Sequence, residues 1–268
     1  MNEVLEHPEG QPKRRRSLPV SIWWLFGLIF LVICIYFGPQ TITYVRLRPA
    51  ILRPADSPPR GWSSVPVPLH ETTASTVEGS TISLYGHQFE APWKEIEGEE
   101  QGERIRFKPG QIITFYNPEL TAVDPINAQI VHITRAEFET TFGAGPFQSK
   151  YDQFNAILSA RPSEWSPFRT HRNFARFQTL LEIKGLWFEH NVVAPEIFSF
   201  ETTNYRGFEL SGLSHDWQNV TLNLFDVRDR RFVMNIKGDS RSGVKITQPE
   251  INRIIQSFRP AQPKIPSQ

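Results

Sequence analysis

The run Val220-Thr-Leu-Asn-Leu-Phe-Asp-Val-Arg-Asp-Arg-Arg-Phe-Val-Met-Asn-Ile-Lys237 decides the fold. Val220, Leu222 and Leu224 alternate with polar neighbours, the mark of a strand with one buried face. Asp226-Val-Arg-Asp-Arg-Arg231 then links this strand to a second, Arg231–Lys237, as a hairpin. Strands joined so closely must lie antiparallel, because a parallel pair needs a long crossover.

Working outward, Ile197–Thr202 and Phe208–Leu213 read as two further strands before the hairpin. After it, Thr247-Gln-Pro-Glu250 is a helix start with Pro in the first turn. The helix it opens carries Ile251, Ile254, Ile255 and Phe258 on one face. Upstream, Thr81-Ile-Ser-Leu-Tyr85 alternates with period two, and Phe89-Glu-Ala-Pro-Trp93 marks the start of the core. Arg104–Phe107 and Ile112–Tyr116 flank Lys108-Pro-Gly-Gln111, a hairpin signature with Gly in the turn. Glu95, Glu97, Glu99, Glu100 and Glu103 crowd a segment expected to be a solvated turn.

The middle of the chain reads as three helices. Thr134 with Glu137 is a capping box for the first, ending near Gly143. Ser149 opens the second, with Tyr151, Phe154, Ile157 and Leu158 on one face. The third runs from about Thr170 to Lys184, with Phe174, Phe177, Leu180 and Leu181 inward and Gly185 as its expected stop. Strands and helices segregated in this way predict an α+β fold with a mainly antiparallel sheet packed with helices.

The succession from Asn204-Tyr-Arg-Gly-Phe-Glu-Leu210 through Val220–Phe225 and Arg231–Ile236 to the helix Thr247–Phe258 resembles the PsbP-like α/β/α sandwich. Phe89-Glu-Ala-Pro-Trp93 would match an early strand of that fold. The resemblance covers about half of the soluble domain and rests on pattern. It implies an accessory or binding module and names no activity.

Ahead of the domain, Val20-Ser-Ile-Trp-Trp-Leu-Phe-Gly-Leu-Ile-Phe-Leu-Val-Ile-Cys-Ile-Tyr-Phe37 is almost wholly apolar. About 20 helical residues span the ~30 Å hydrocarbon core of a bilayer. Trp23 and Trp24 at one end and Tyr36 at the other suit the headgroup level. Pro19 suits the start of a helix, and Gly38-Pro39 is expected to end it. A cleaved signal peptide fits less well: the run is long, and Tyr36-Phe37-Gly38-Pro39-Gln40 lacks a small-x-small cleavage site. Ile33 before Cys34 excludes a lipoprotein signal. Lys13-Arg-Arg-Arg16 outweighs Arg46 and Arg48, so the positive-inside bias places the N-terminus in the cytoplasm and the domain outside, in the periplasm if the host is bacterial.

The expected organisation is a basic tail (1–19), a transmembrane helix (20–38), a Pro-rich connector (39–76), a soluble α+β domain (77–260) and a disordered tail (261–268). Frequent prolines in the connector, as at Pro58-Pro59 and Val65-Pro-Val-Pro68, predict a semi-rigid spacer that lifts the domain off the membrane.

The chain's net charge is +1, and residues 1–48 hold six basic against three acidic side chains. The remainder has 23 basic and 25 acidic, a near-neutral balance that argues against a nucleic-acid partner. Cys34, the only cysteine, lies in the apolar run, so the domain has no disulfide and no cysteine-ligated zinc.

Candidate chemistry is sparse. Ser214-His215-Asp216 holds the letters of a triad, yet consecutive residues do not converge as nucleophile, base and orienter. Gly143-Ala-Gly145-Pro146 lacks the Lys-Ser/Thr of a phosphate loop. His70, His87, His132, His171, His190 and His215 are scattered without metal-site spacing, so no metal and no cofactor are expected. Glu189-His190 beside Trp187 is the pairing singled out, since an acid beside a His next to aromatics can tune a base. Arg169, Arg172 and Arg176 fall on one side of the third helix and suit anionic headgroups or an acidic partner surface; a solvated face is the plain reading.

These features favour a membrane-anchored extracytoplasmic binding or assembly module without catalytic residues. Its candidate binding residues are Arg169, Arg172, Arg176, Trp187 and His190. Its partners are the membrane, through the N-terminal helix, and another membrane or envelope protein. The alternatives are an extracytoplasmic hydrolase using a His/carboxylate pair, and a ligand-sensing domain acting through a membrane partner.

Overall fold

The structure, a computed structural model, describes residues 20–51, 64–69, 78–100, 103–108, 110–116, 149–188, 196–213, 218–238 and 243–261. The helix expected over 134–143, the glycines at 143 and 145, the Ser214-His215-Asp216 run and the tail from 262 lie outside the described residues.

The first helix, α1, runs from Val20 to Ile51. It does not stop at Gly38-Pro39. Pro39 removes one backbone donor from the ladder; past it, Thr41 Oγ1 donates to the Phe37 carbonyl at 2.9 Å and Thr43 Oγ1 to the Pro39 carbonyl at 3.0 Å. Both hydroxyls bond to carbonyls one turn back on the same helix, and the helix carries on through the proline.

The expected α+β class is what the chain adopts. An eight-stranded sheet has the order β1-β7-β8-β9-β10-β6-β5-β4. Its strands are β1 (Val67–Pro68), β4 (Ile96–Glu100), β5 (Arg104–Phe107), β6 (Ile112–Tyr116), β7 (Glu196–Glu201), β8 (Tyr205–Ser211), β9 (Asn219–Asp226) and β10 (Arg231–Lys237). All neighbours are antiparallel except β1 and β7. The hairpin that opened the sequence reading is the centre of this sheet: Phe232 pairs with Leu224, Met234 with Leu222 and Ile236 with Val220. A small second sheet joins β2 (Ser80–Leu84), β3 (His87–Ala91) and β11 (Arg259–Pro260). Tyr85 and Gly86, both with positive φ, make the tight β2–β3 turn that matches strand twist.

Two strands depart from expectation. The glutamates at 97, 99 and 100 do not form a turn; they lie in β4, at the edge of the large sheet. Charges on an edge strand deter pairing with another chain, so a strand can be acidic there. Val67-Pro68, expected within the spacer, pairs in parallel with Phe198 and Ser199 at the opposite edge.

Alternation along the strands separates two apolar faces. On one, Val220, Leu222, Leu224, Met234 and Ile236 meet the small sheet and α4 (Gln248–Ser257), whose Ile251, Ile254 and Ile255 point inward. On the other, Phe208 and Phe225 meet Phe154 and Leu158 of α2 (Lys150–Ser159). Burying each such side chain contributes about 1.5–3 kcal/mol. Behind α2, a third cluster joins Ile157, Trp165, Phe174 and Leu181 of the α2–α3 unit, α3 being His171–Phe188. The α3 helix passes through Gly185, its expected stop, and Gly185 is buried within it.

Candidate functional site

The third cluster also contains Tyr44 and Leu47 of α1. The Tyr44 ring lies 5.1 Å from that of Trp165, which stacks in turn on Phe174 at 5.3 Å. Two turns nearer the apolar run, Phe37 lies 6.0 Å from Phe168. Gln40, between them on α1, is buried. The C-terminal part of α1 is thus packed on the domain, where a spacer was expected. Bulky aromatics along α1 at 37 and 44 find apolar surface on the α2–α3 connection, and packing them removes that surface from water.

This junction places three of the candidate binding residues. Ser166 Oγ accepts from the Phe168 amide at 3.3 Å, and Thr170 Oγ1 accepts from the Asn173 amide at 3.4 Å, so the loop turns into α3 at Thr170. Arg169 therefore precedes the helix, and its guanidinium lies 4.6 Å from the Phe177 ring centroid. Arg172 is exposed in the first turn of α3, which holds no acidic residue, and Arg176 is half-buried one turn on. Trp187 is in the last turn of α3, but its side chain lies outside what the structure describes, as does all of His190.

Lys184 and Glu209, both buried and titratable, are absent from the candidates above, and His87 stands there only among the scattered histidines. Lys184 of α3 is fully buried, and its Nζ donates to the carbonyls of Ser64 at 2.6 Å, Leu158 at 2.7 Å and Ala160 at 2.8 Å. The last two are orphan acceptors at the C-terminal end of α2, where a cation also suits the helix dipole. Burial pulls the Lys184 pKa from 10.5 down to about 7; the Arg161 charge adds to this and Glu164 opposes it. A Lys spaced three and four residues from Leu181 and Leu180 was the available signal, masked because it was read as the helix end.

Glu209 of β8 is fully buried under α4, and Gln248 Nε2 donates to its Oε2 at 2.9 Å while Oε1 has no hydrogen-bond partner. Burial pushes its pKa from 4.5 up to about 7; hydrogen bonds from Gln248 and Ser211 oppose, and Glu196 adds. Among the described residues, His87 is the one histidine with a resolved environment: its Nδ1 is 2.7 Å from the Tyr205 hydroxyl. Its ring stacks on Phe258 and meets Phe232 edge-on at 4.2 Å. Burial lowers the His87 pKa, with Arg230 lowering it further and Asp226 opposing. Burial raises that of Tyr205 to about 12, with Asp226 adding and Arg230 opposing.

Each of these groups is held in a core contact. No group of three or more His, Cys, Asp or Glu with metal-site placement occurs among the described residues. No protein-family profile, curated protein or solved structure matches the chain. Among the described residues, the α1–α3 junction has an unusual composition, where an apolar helix, an exposed aromatic and arginines meet.

Proposed function

We propose that the chain is a membrane-anchored binding or assembly module whose α+β domain stands on the extracytoplasmic side and works by contact. One observation carries the anchoring. The stretch Ile22–Leu47 is long and apolar enough to cross a bilayer, with mean hydropathy 2.2 and none of its most apolar window buried against the rest of the chain. A helix serving as a soluble core would be covered by its own protein; this one leaves Trp24, Phe26, Phe30 and Ile35 exposed. Packing of Tyr44 and Leu47 into a domain cluster supports a retained anchor over a leader that is cut away. Lys13-Arg-Arg-Arg16 supports a cytoplasmic N-terminus.

Action by contact is supported by the state of the buried titratable groups. Lys184 is engaged by three carbonyls and His87 by Tyr205 and an aromatic box, so each has a structural occupation. Helices on both faces of an antiparallel sheet support the PsbP-like resemblance, and with it an accessory role.

The test is paired reporter fusion after Gln268 in the full-length chain. An exported phosphatase is expected to be active and a fluorescent protein that folds only in the cytosol dark, with the product retained in carbonate-washed membranes. The reverse pattern, or release into the wash, sinks the anchoring. In-membrane crosslinking followed by purification should then recover one recurrent envelope protein; a ladder that varies between preparations would remove the assembly role.

A further inference from the structure

We infer that the domain touches the bilayer a second time, through the loop that carries Phe168, and that the surface it meets is an anionic headgroup layer. The inference rests on the anchoring proposed above and goes beyond it by naming the face of the domain that lies on lipid.

Phe168 is 75% exposed, an unusual state for a phenylalanine in a domain that buries most of its described aromatics. Its nearest described ring is that of Phe37 on α1, at 6.0 Å. Depth follows from helix geometry. About 20 residues cross the hydrocarbon core, and any such stretch chosen within Ile22–Leu47 includes Phe37. A ring in contact with Phe37 therefore lies at or inside the hydrocarbon edge. Tyr44 and Leu47 are already packed on Trp165, so the domain cannot withdraw the loop without breaking that cluster.

The residues that follow fit the layer just above. Arg169 lies alongside Phe177, Arg172 is exposed in the first turn of α3, and Arg46 of α1 is exposed on the same helix as Phe37. Glu164 is the acidic neighbour on the other side of Trp165. An aromatic at the hydrocarbon edge with arginines at the headgroup level is the arrangement of an interfacial contact, and basic side chains there are attracted to anionic lipid.

The experiment uses the full-length chain with Cys34→Ser, reconstituted in nanodiscs of phosphatidylcholine mixed with phosphatidylglycerol. Single nitroxide labels are placed by Phe168→Cys, Arg172→Cys, Ile29→Cys and Val227→Cys. Collision with oxygen is compared with collision with a water-soluble nickel chelate. The label at 29 is expected to favour oxygen and that at 227, on the exposed β9–β10 turn, the chelate. The label at 168 is expected to fall with 29, and that at 172 near the crossover. If 168 falls with 227 while 29 stays oxygen-favoured, the loop contact is overturned and the anchor stands. If 29 also favours the chelate, the anchor itself is overturned. Adding Arg172→Glu to the 168-labelled chain is expected to shift its ratio toward the chelate; an unchanged ratio removes the anionic surface from the proposal.

Discussion

Burial brings Lys184 and Glu209 to the same range, about 7, from opposite sides. For Lys184, the unfolded chain keeps its proton up to about 10.5 and the folded chain only to about 7. Between those values the unfolded state binds more protons, so stability rises as pH climbs from about 7 toward 10.5. For Glu209, the folded chain holds a proton up to about 7 that the unfolded chain releases near 4.5, so stability falls as pH rises between them. Glu209→Gln is therefore expected to remove the fall in denaturation midpoint contributed between about 4.5 and 7, and Lys184→Met the rise contributed between about 7 and 10.5. Lys184→Met also leaves three carbonyls without their shared donor, at a cost of about 3 kcal/mol overall, on the order of 1 kcal/mol for each acceptor. A profile whose limbs keep their slopes in both variants would show that neither group titrates as described.

Asp229 shows why single elements here depend on distant sequence. It sits in the β9–β10 turn with φ of 61°, a left-handed conformation that Asp tolerates better than most residues. Its carboxylate accepts from the backbone amides of Lys150 and Tyr151, the first turn of α2. Arg206 completes the corner, with its guanidinium 4.1 Å from the Tyr151 ring centroid and 4.0 Å from Asp229 Oδ1. Asp229→Ala removes the acceptor for the start of α2 and strains the turn, so a loss of about 1–2 kcal/mol is expected. Asp229→Asn, which keeps an acceptor and tolerates the same φ, should retain most of the stability. Equal losses in the two variants would show that charge, not capping, is what matters there.

How much of this was legible follows the range of the interactions. β10 falls on its expected residues and α4 within one, because alternation and the Thr247–Glu250 start signal are local. The Ser149 helix is legible for the same reason. Gly185 and Gly38-Pro39 do not end their helices because a helix end signal is only a local preference; Gly185 is buried within α3, and Tyr44 and Leu47 beyond Pro39 pack on the domain. The pairing of Val67-Pro68 with β7 and the separation of β2, β3 and β11 into a second sheet depend on contacts far apart in the chain, which no local pattern encodes. The three arginines were visible as a cluster. That their loop reaches Phe37 was not, because Phe37 and Phe168 meet only once α2 and α3 have folded.

At the level of the whole molecule, the sheet is covered on one face by α4 and the small sheet and on part of the other by α2, with α3 behind α2. The α4 helix is fastened at both ends: Thr247 N donates to Glu250 Oε2 at 2.7 Å, Trp93 Nε1 to Glu250 Oε1 at 3.0 Å, and Glu90 N to Ser257 Oγ at 2.8 Å. Lys184 ties the other side together, since its three carbonyls belong to the end of α2, the residue after it and the segment leading into β1. The sheet, both coverings and the end of α1 are thereby parts of one packed body.

Seating Tyr44 and Leu47 in the Trp165 cluster sets one face of α1 against the domain. A neighbour diffusing in the same plane would then always meet one fixed profile. It would need only lateral travel and a turn about a single axis to find its match, where a freely pivoting head would present every side in turn. For the anchored binding module proposed above, orientation settled in advance would shorten that search and would make recognition depend on the angle at which α1 leaves the bilayer as well as on the residues that touch.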